Sequence, residues 1–402
     1  MSVMDRKIEI DVAELSEYMT QGYELIDVRD EMSYAYGNIR GSVNIPKDKL
    51  LDDMEDYTGR SFILYCKRGE VSLEAAEVLI EHGAEAVSLR GGYLAWLMAD
   101  VMQQNEEKDD AKFAAEAEDS IRKRFRKTIW CRFTKAINDY ELVKEGDRIA
   151  VCISGGKDSM LMAKLFQELK RHNKFPFEVK FLIMDPGYSP ENRQIIENNA
   201  RRLNIPVTIF ESDIFESVFH IEKSPCYLCA RMRRGYLYSK AKELGCNKIA
   251  LGHHYDDVIE TILMGMLYGA QMQTMMPKLH STNFEGMELI RPMYLIREDD
   301  IKAWRDANGL HFIQCACKFT DTCSSCAEDG QSNSKRLEVK KLIKELKKTN
   351  PFVEGNIFKS VENVNLSTVV AYKKDGVRHH FLEDYDKTGY DEIMDSGKIE
   401  DN

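Results

Sequence analysis

The stretch that most constrains the fold of this chain runs from Arg148 to Ser159 and reads RIAVCISGGKDS. Its apolar first half predicts a strand and the apolar residues after Ser159 predict a helix, so the polar residues between them form a tight turn. Such a turn presents backbone N–H groups at a helix N-terminus, where they and the helix dipole bind anions. The two glycines let an anion approach the backbone closely, and Lys157 adds positive charge. Because the spacing is shorter than that of a Walker A loop, the stretch predicts a phosphate site of another kind.

The turn Ser154-Gly155-Gly156-Lys157-Asp158-Ser159 resembles the pyrophosphate-binding loop of the PP-loop ATPases. That resemblance implies that ATP is split into AMP and pyrophosphate, that a substrate is adenylated, and that Mg²⁺ is held near Asp158 or Asp185. Strand–helix alternation between residues 148 and 251 predicts a parallel sheet with helices on both faces, and ligands of such sheets bind at the carboxyl ends of strands. The candidate nucleotide-binding residues are therefore Ser154, Gly155, Gly156, Lys157, Asp158, Ser159, Asp185, Gly252 and His253.

The size and composition of the chain limit its class. With 402 residues, of which 43% are hydrophobic, it is expected to form two or more domains with well-filled cores. No apolar stretch approaches the ~20 residues of a membrane span, and the N-terminus has no apolar signal core, which predicts a cytoplasmic protein. Ten cysteines in such a protein favour metal, cluster or persulfide chemistry over disulfides. The net charge of −11 argues against a globally basic nucleic-acid binder but allows local basic patches.

The N-terminal part of the chain alternates short strands and helices. Its segments that together resemble a single rhodanese domain are Leu25–Arg29, Gly37–Pro46, Leu64–Ser72 and Leu89–Trp96. The resemblance covers roughly residues 5–100 and implies that Cys66 carries sulfur as a persulfide. Because Cys66 lies between a predicted strand and a predicted helix, backbone N–H groups, the helix dipole, Lys67 and Arg68 would stabilise its anion. Tyrosine-phosphatase chemistry is disfavoured, since Ser72 stands where that chemistry needs a phosphate-binding arginine.

A CxxC pair, Cys226 and Cys229, opens a predicted helix with the spacing of a metal or cluster site. The segments that occur in the order and spacing of the tRNA 2-thiocytidine synthetase family are Ser154–Ser159, Pro225–Gly235, Leu251–Asp257, Met276–Leu279 and Ile290–Pro292. This resemblance implies an iron–sulfur enzyme that thiolates a cytidine in the tRNA anticodon loop. It also implies a [4Fe–4S] cluster on Cys226, Cys229 and either Cys315 or Cys317, with one iron open to sulfide.

Two carboxylates and a second cysteine pair each have more than one possible role. Asp256 and Asp257 are predicted catalytic residues that bind Mg²⁺ or orient the substrate base, and the alternative is a helix N-cap. Cys323 and Cys326 form either a Zn²⁺ site, together with the leftover cysteine of the pair at 315 and 317, or a redox or sulfur-relay pair. The cysteines expected to be buried packing thiols are Cys131, Cys152 and Cys246.

Basic side chains gather in three places that either contact RNA or form a solvated face. They are the arginines beside the CxxC pair, Arg231, Arg233 and Arg234, and two predicted helices at about 122–135 and 335–348. Because the chain as a whole is acidic, binding of RNA phosphates would depend on these local clusters of positive charge.

We predict an α/β protein with an N-terminal rhodanese-like α/β domain followed by a PP-loop, adenine nucleotide alpha hydrolase-like, parallel-sheet domain. The predicted order is a rhodanese-like sulfurtransferase domain over 1–104, an acidic, partly helical and solvated linker over 105–120, the PP-loop domain over 121–350 and a C-terminal extension over 351–402. The predicted function is ATP-dependent thiolation of tRNA, with sulfur passed from a Cys66 persulfide by way of the cluster.

The predicted function requires a sulfur donor and an RNA substrate, and other functions are also compatible with the sequence. The sulfur donor is expected to be thiosulfate or a cysteine desulfurase, the substrate is expected to be tRNA, and a homodimer is left open. One alternative keeps the PP-loop chemistry on another tRNA base or a small molecule. Others are a cluster-based sulfur or redox sensor and a thiosulfate sulfurtransferase with an inert C-terminal module.

Overall fold

The computed structural model describes residues 7–106, 109–172, 175–212, 214, 225–313, 335–383 and 385, without the side chains of 104–106 and 225–227. The chain divides into two compact units, and both α/β domains belong to the first. This unit comprises Met1–Val258 and Met275–Glu338, and the other comprises Ile259–Thr274 and Val339–Asn402. Among the described residues, no helix is long and apolar enough to cross a membrane.

The N-terminal domain is a parallel sheet flanked by helices, with strand order β1-β5-β4-β2-β3. Its strands are β1 (Glu9–Ile10), β2 (Glu24–Asp27), β3 (Val43–Asn44), β4 (Ser61–Tyr65) and β5 (Glu85–Leu89). Its helices are α1 (Leu15–Thr20), α2 (Glu31–Tyr36), α3 (Lys47–Asp52), α4 (Glu70–Glu81) and α5 (Gly92–Glu106).

The second domain is a larger sheet with strand order β10-β11-β9-β6-β7-β8. Its strands are β6 (Arg148–Ile153), β7 (Glu178–Asp185), β8 (Val207–Glu211), β9 (Lys248–Ala250), β10 (Lys278–His280) and β11 (Glu288–Ile290). Its helices are α6 (Asp110–Arg122), α7 (Cys131–Asp139), α8 (Lys157–His172), α9 (Pro190–Arg202), α10 (Pro225–Glu243), α11 (Tyr255–Gly269) and α12 (Glu298–Ala307), the last part of α11 belonging to the second unit.

The predicted fold class is confirmed. The strand β6 is buried from Ile149 to Ile153, as expected for a central strand that is covered by helices on both faces. One edge differs from the prediction of a parallel sheet, because β10 pairs antiparallel with β11. The two lie close in sequence, so a short reversal of the chain joins them, whereas the parallel pairs are joined through helices.

The segment predicted as a solvated linker is largely a packed helix. In α6, the residues Ala114, Ala117, Glu118 and Ile121 are buried. The carboxylate of Glu118 accepts a hydrogen bond from Nζ of the fully buried Lys164 at 2.6 Å and also pairs with Arg171. A single hydrophobic cluster runs from Leu97 in α5 through Ile121 to the second domain. The expectation of a solvated segment is therefore wrong over α6, and the two domains are docked rather than loosely tethered.

The C-terminal part contains short elements of its own. They are α13 (Lys335–Thr349), α14 (Val353–Ser360), and the antiparallel hairpin of β12 (Ala371–Lys374) and β13 (Val377–His380). Val370, Val377 and Leu382 are exposed in this region. The strand predicted from Thr368 to Tyr372 therefore corresponds to the start of the hairpin, displaced by a few residues.

Candidate functional site

Cys66 lies directly after β4, at the point where the chain turns into α4. Its side chain is buried, and its Sγ accepts hydrogen bonds from the backbone N–H of Gly69 at 3.1 Å and the hydroxyl of Ser72 at 3.5 Å. Gly69 has φ of 100°, and a Cβ there would lie 2.9 Å from the backbone nitrogen of Gly91. Only glycine fits this turn, which aims N–H groups at the sulfur. Such a cradle stabilises a thiolate or persulfide anion.

The loop between β6 and α8 has the strand–turn–helix form that its sequence predicts. Gly155 has φ of 87°, and a Cβ there would lie 2.5 Å from Ile196 of α9, so the residue has to be glycine. The hydroxyl of Ser159 accepts the backbone N–H of Ser154 at 3.1 Å and donates to the carbonyl of Gly156 at 3.0 Å. These bonds hold the turn tightly over the N-terminus of α8, a position that suits an anion.

Gly252, which follows β9, approaches this loop. A Cβ on Gly252 would lie 3.3 Å from the backbone nitrogen of Ser159. The structure therefore brings together the loop residues and the segment of His253, as the sequence predicts for neighbouring strand ends. Burial lowers the pKa of His253 to about 4, so at neutral pH this imidazole is neutral.

Lys157 is buried beside two carboxylates. Its Nζ lies 3.0 Å from Oδ2 of Asp158 and 3.4 Å from Oε1 of Glu298, at the start of α12. Burial alone would lower the pKa of Lys157, but Asp158 and Glu298 outweigh it and hold the pKa above its usual value. The ammonium is therefore charged and available to phosphate oxygens.

The two predicted catalytic aspartates have protein partners. Asp256 pairs with Arg297 at 3.0 Å and accepts the backbone N–H of Glu298 at 2.7 Å. Asp257 accepts the backbone N–H of His254 at 3.0 Å and pairs with Nη1 of Arg336 at 2.7 Å. The His254 bond caps the N-terminus of α11 from within its first turn, which is close to the N-cap alternative that the sequence left open. Whether either carboxylate also acts on a substrate stays a prediction.

Asp185 is the last residue of β7, the strand beside β6, and its carboxylate binds residues that follow it closely in the sequence. Oδ1 accepts the backbone N–H groups of Gly187 and Tyr188 at 2.8 and 2.7 Å, and Oδ2 lies 3.3 Å from Arg193. Asp158 belongs to the loop itself, and its carboxylate lies beside Nζ of Lys157. A role for Asp185 in holding Mg²⁺ stays a prediction.

The cysteines expected to hold a cluster lie mostly outside the described part of the chain. Positions 226 and 229 are one turn apart on α10, which suits two ligands of one centre. Cys315, Cys317, Cys323 and Cys326, and the side chain of Cys226, are outside the described residues. Within the described residues, no group of three or more ligating side chains forms a metal site. The cluster, Mg²⁺ and a Zn²⁺ site therefore stay predictions.

The other cysteines and the basic segments are partly as expected. Cys152 and Cys246 are buried, but Cys131 is exposed because it lies on the solvent side of α7, so its assignment as a packing thiol is wrong.

Several basic side chains of the predicted RNA-contacting helices already have carboxylate partners. The pairs are Lys123–Asp119, Arg132–Asp300, Lys135–Asp139, Arg336–Asp257 and Lys348–Glu345.

Tyr36, at the end of α2, is a site residue that the sequence did not indicate. Its hydroxyl donates to the carbonyl of Ile313 at 3.0 Å and would lie 2.9 Å from a Cβ on Gly156. Burial raises the pKa of Tyr36, while a hydrogen bond from the backbone of Lys157 acts the other way. Tyr36 of the first domain therefore lies against the backbone of the loop Ser154–Ser159, the predicted nucleotide loop, in the second domain.

Other contacts hold the same two surfaces together. The guanidinium of Arg305 donates to the carbonyls of Ala35 and Tyr36. The rings of Trp96 and His311 meet edge to face, 5.0 Å apart. Arg68, two residues after Cys66, acts electrostatically on Glu191 at the start of α9. Residues close to Cys66 and residues close to the loop Ser154–Ser159 thus both contribute to the contact between the two domains.

Comparisons with known proteins agree with this architecture. The rhodanese-like domain family matches residues 11–99, and the PP-loop domain family matches residues 126–318. The tRNA-cytidine(32) 2-sulfurtransferase of Syntrophotalea carbinolica is 37% identical over 233 residues, which is 57% of this chain and 86% of that protein. The protein of the same name from Anaeromyxobacter sp. strain K is 34% identical over 265 residues, which is 65% of this chain and 85% of that protein.

A solved structure of lower similarity is the U34-tRNA thiolase NcsA from Methanococcus maripaludis with its [4Fe–4S] cluster. It is 21% identical, with a TM-score of 0.46 over 63% of this chain and 78% of that one. At this similarity the likeness carries no inference about the chemistry of this chain.

Proposed function

The chain belongs to the tRNA-cytidine(32) 2-sulfurtransferase family, and from that premise we propose that it thiolates a cytidine of tRNA using ATP and sulfur carried on Cys66. The observation that supports this most directly is the docking of the Cys66 domain beside the predicted nucleotide loop, where Lys157 contacts the ring of Tyr36 and Arg305 binds the end of α2. A carrier docked in this way delivers sulfur in an intramolecular step, and the effective concentration no longer depends on a flexible linker.

The first step is adenylation of the base. ATP binds with its phosphates on Ser154–Ser159, where the N–H groups of the loop and the charged Lys157 stabilise the developing negative charge. The C2 oxygen of the cytidine attacks the α-phosphate and pyrophosphate leaves. The C2 oxygen, a poor leaving group, now departs as part of AMP. Mg²⁺ held near Asp158 or Asp185 would neutralise phosphate charge.

The second step replaces oxygen by sulfur. A thiol reductant first breaks the sulfur–sulfur bond of the Cys66 persulfide and supplies two electrons, which gives sulfide and the Cys66 thiol. The sulfide then attacks C2, and AMP is expelled. A cluster on Cys226, Cys229 and Cys315 or Cys317 would supply an open iron position that binds sulfide. Asp256 and Asp257 lie next to His254, whose Nε2 is 3.8 Å from Oδ1 of the loop residue Asp158, and they are the proposed groups that orient the base.

The test is mass spectrometry of nucleosides from tRNA. Unmodified tRNA is incubated anaerobically with cluster-loaded protein, ATP, Mg²⁺, thiosulfate and dithiothreitol, and is then digested. A new 2-thiocytidine peak that requires ATP and is accompanied by AMP is the expected result. A different thionucleoside would keep the chemistry and replace the base.

Absence of any thionucleoside, with the cluster verified by its absorbance, would contradict the proposal. That outcome would favour a small-molecule substrate or a sulfur sensor. Sulfur transfer from thiosulfate to cyanide that is unaffected by Cys226→Ala, with no tRNA product, would favour a plain sulfurtransferase with an inert C-terminal module.

A further inference from the structure

A cavity separate from the nucleotide loop lies along α10. It has a volume of about 550 Å³ and is formed by the C-terminal side of the CxxC segment and the turn between β10 and β11. Arg231, Arg234 and Arg291 contribute positive charge to its wall, and Leu228, Met232 and Phe284 contribute apolar surface. This volume and this mixture of surfaces suit a ligand with an anionic and an aromatic part.

One arginine of this cavity has an unused hydrogen-bond donor among the described residues. Arg291 is 6% exposed, its Nη1 donates to the carbonyl of Met276, and its Nε has no hydrogen-bond partner among the described residues. Burial, and then the charge of Arg234, lower the pKa of Arg291 to about 10. Asp257 also acts on Arg291, but its carboxylate already pairs with Arg336. A buried guanidinium with an unused donor and a positive neighbour is stabilised by a bound anion.

The apolar wall is suited to a base. The rings of Tyr238 and Phe284 stack at 5.0 Å with 12° between their planes, and Phe284 lines the cavity. Aromatic side chains next to arginines are the usual means of binding an unstacked nucleotide of RNA. Arg231 and Arg234 are exposed, so the cavity is accessible to a polymer from solvent.

We propose that this cavity binds one nucleotide of the tRNA next to the reacting cytidine. Its phosphate lies on Arg231, Arg234 and Arg291, and its base packs against Phe284. The inference rests on the proposed function, because it assigns a second contact to the same substrate. The position on α10, beside Cys226 and Cys229, places this nucleotide close to the predicted sulfur-transfer centre.

The test compares tRNA binding by variants of the full-length, cluster-loaded protein. Fluorescence anisotropy with unmodified tRNA is measured at several salt concentrations for Arg234→Gln, Arg291→Lys and Phe284→Ala. Lys242→Gln is the matched control, because it removes one charge from an exposed position of the same helix outside the cavity. Thermal melting shows whether each variant is folded.

The expected result distinguishes the contribution of arginine charge to tRNA binding from the contribution of base stacking. Arg234→Gln weakens tRNA binding about tenfold at low salt and reduces the slope of log K against log salt by about 1. Phe284→Ala weakens binding about tenfold with an unchanged slope. Arg291→Lys weakens binding although its charge is kept, because it loses the planar fork. The KM for ATP stays at the wild-type value in all three variants.

Two outcomes would overturn the assignment. Folded Arg234→Gln and Phe284→Ala variants that bind tRNA like the wild type would show that the cavity is not used. Free cytidine 5′-monophosphate that displaces tRNA at micromolar concentration would assign the cavity to a small nucleotide. In both cases the wild-type protein would still form 2-thiocytidine, whereas failure of the proposed function would remove that product.

Discussion

The ammonium of Lys157 in the nucleotide loop lies 5.0 Å from the ring centroid of Tyr36 in the rhodanese domain. This cation–π contact joins the group that is proposed to bind phosphate to the domain that is proposed to carry sulfur. The Tyr36 hydroxyl also contacts the loop backbone and donates to the carbonyl of Ile313. Binding of ATP and docking of the sulfur carrier therefore involve the same side chain.

We expect Tyr36→Phe to tighten ATP binding. The change keeps the ring under Lys157 but removes the hydroxyl that lies against the backbone of the loop. Clearing this hydroxyl should let phosphate gain one neutral hydrogen bond from the loop, worth about 1 kcal/mol, and so lower the KM for ATP about fivefold. Steady-state AMP formation with saturating tRNA measures this. Tyr34→Phe is the control, since Tyr34 donates to Ser42 within its own domain. A KM that is unchanged or raised would contradict the prediction.

Cys66→Ser should separate the two sulfur sources. Serine cannot carry a persulfide, so thiolation supported by thiosulfate should fall at least 100-fold, whereas thiolation driven by excess free sulfide should persist near the wild-type rate. Quantitative nucleoside mass spectrometry measures both rates. Cys131→Ser, at an exposed thiol, is the control and should change neither. Equal loss with both sulfur sources would exclude the carrier role.

Glu118→Gln should destabilise the docking of α6 on α8. The substitution removes the charge that faces the fully buried Lys164 and leaves that ammonium poorly compensated. We expect a loss of about 3 kcal/mol in the free energy of unfolding, measured by urea denaturation. The double variant Glu118→Gln with Lys164→Met should recover most of the loss, because the uncompensated charge is gone. No recovery would show that the pair contributes through packing instead.

His253 should make stability depend on pH below neutrality. Burial lowers its pKa from 6.5 to about 4, although Asp257 opposes this while Arg291, Arg336 and His254 reinforce it. As pH falls from 6.5 towards 4, the unfolded chain binds a proton that the folded chain does not, so stability falls. We expect His253 to account for about 1.5 kcal/mol of the loss between pH 6.5 and 5.

The measurement for His253 is urea denaturation at pH 6.5 and 5. His253→Gln should show a smaller loss than the wild type by that amount. His82→Gln, at an exposed histidine, is the control and should show the wild-type loss. An identical pH dependence in wild type and His253→Gln would mean that His253 is not buried in solution as described.

Much of the candidate site could be predicted from local patterns. Strand, turn and helix around Ser154–Ser159 follow from short-range apolar periodicity and from glycines at positive φ, which depend on a few neighbouring residues. The strand-to-helix position of Cys66 follows from the same kind of local pattern, whereas its role as a persulfide carrier is implied by the resemblance to rhodanese domains and stays a prediction. The prediction of a solvated segment was wrong for α6. Its alanines and charged residues indicate a solvated helix, and only the tertiary structure shows that Lys164 and the neighbouring helices cover one face of it.

The sequence by itself determined the two α/β domains, their order, and the loops that end β4 and β6. Only the tertiary structure decided which distant residues meet at those loops: Tyr36 on the nucleotide loop, Glu298 beside Lys157, and Arg336 on Asp257. The tertiary structure also brings together segments before and after α11, and these segments line the cavity along α10. The physical reason is that turns and helix ends depend on neighbouring residues, whereas burial, ion pairing and the space around a side chain depend on the packing of the whole chain.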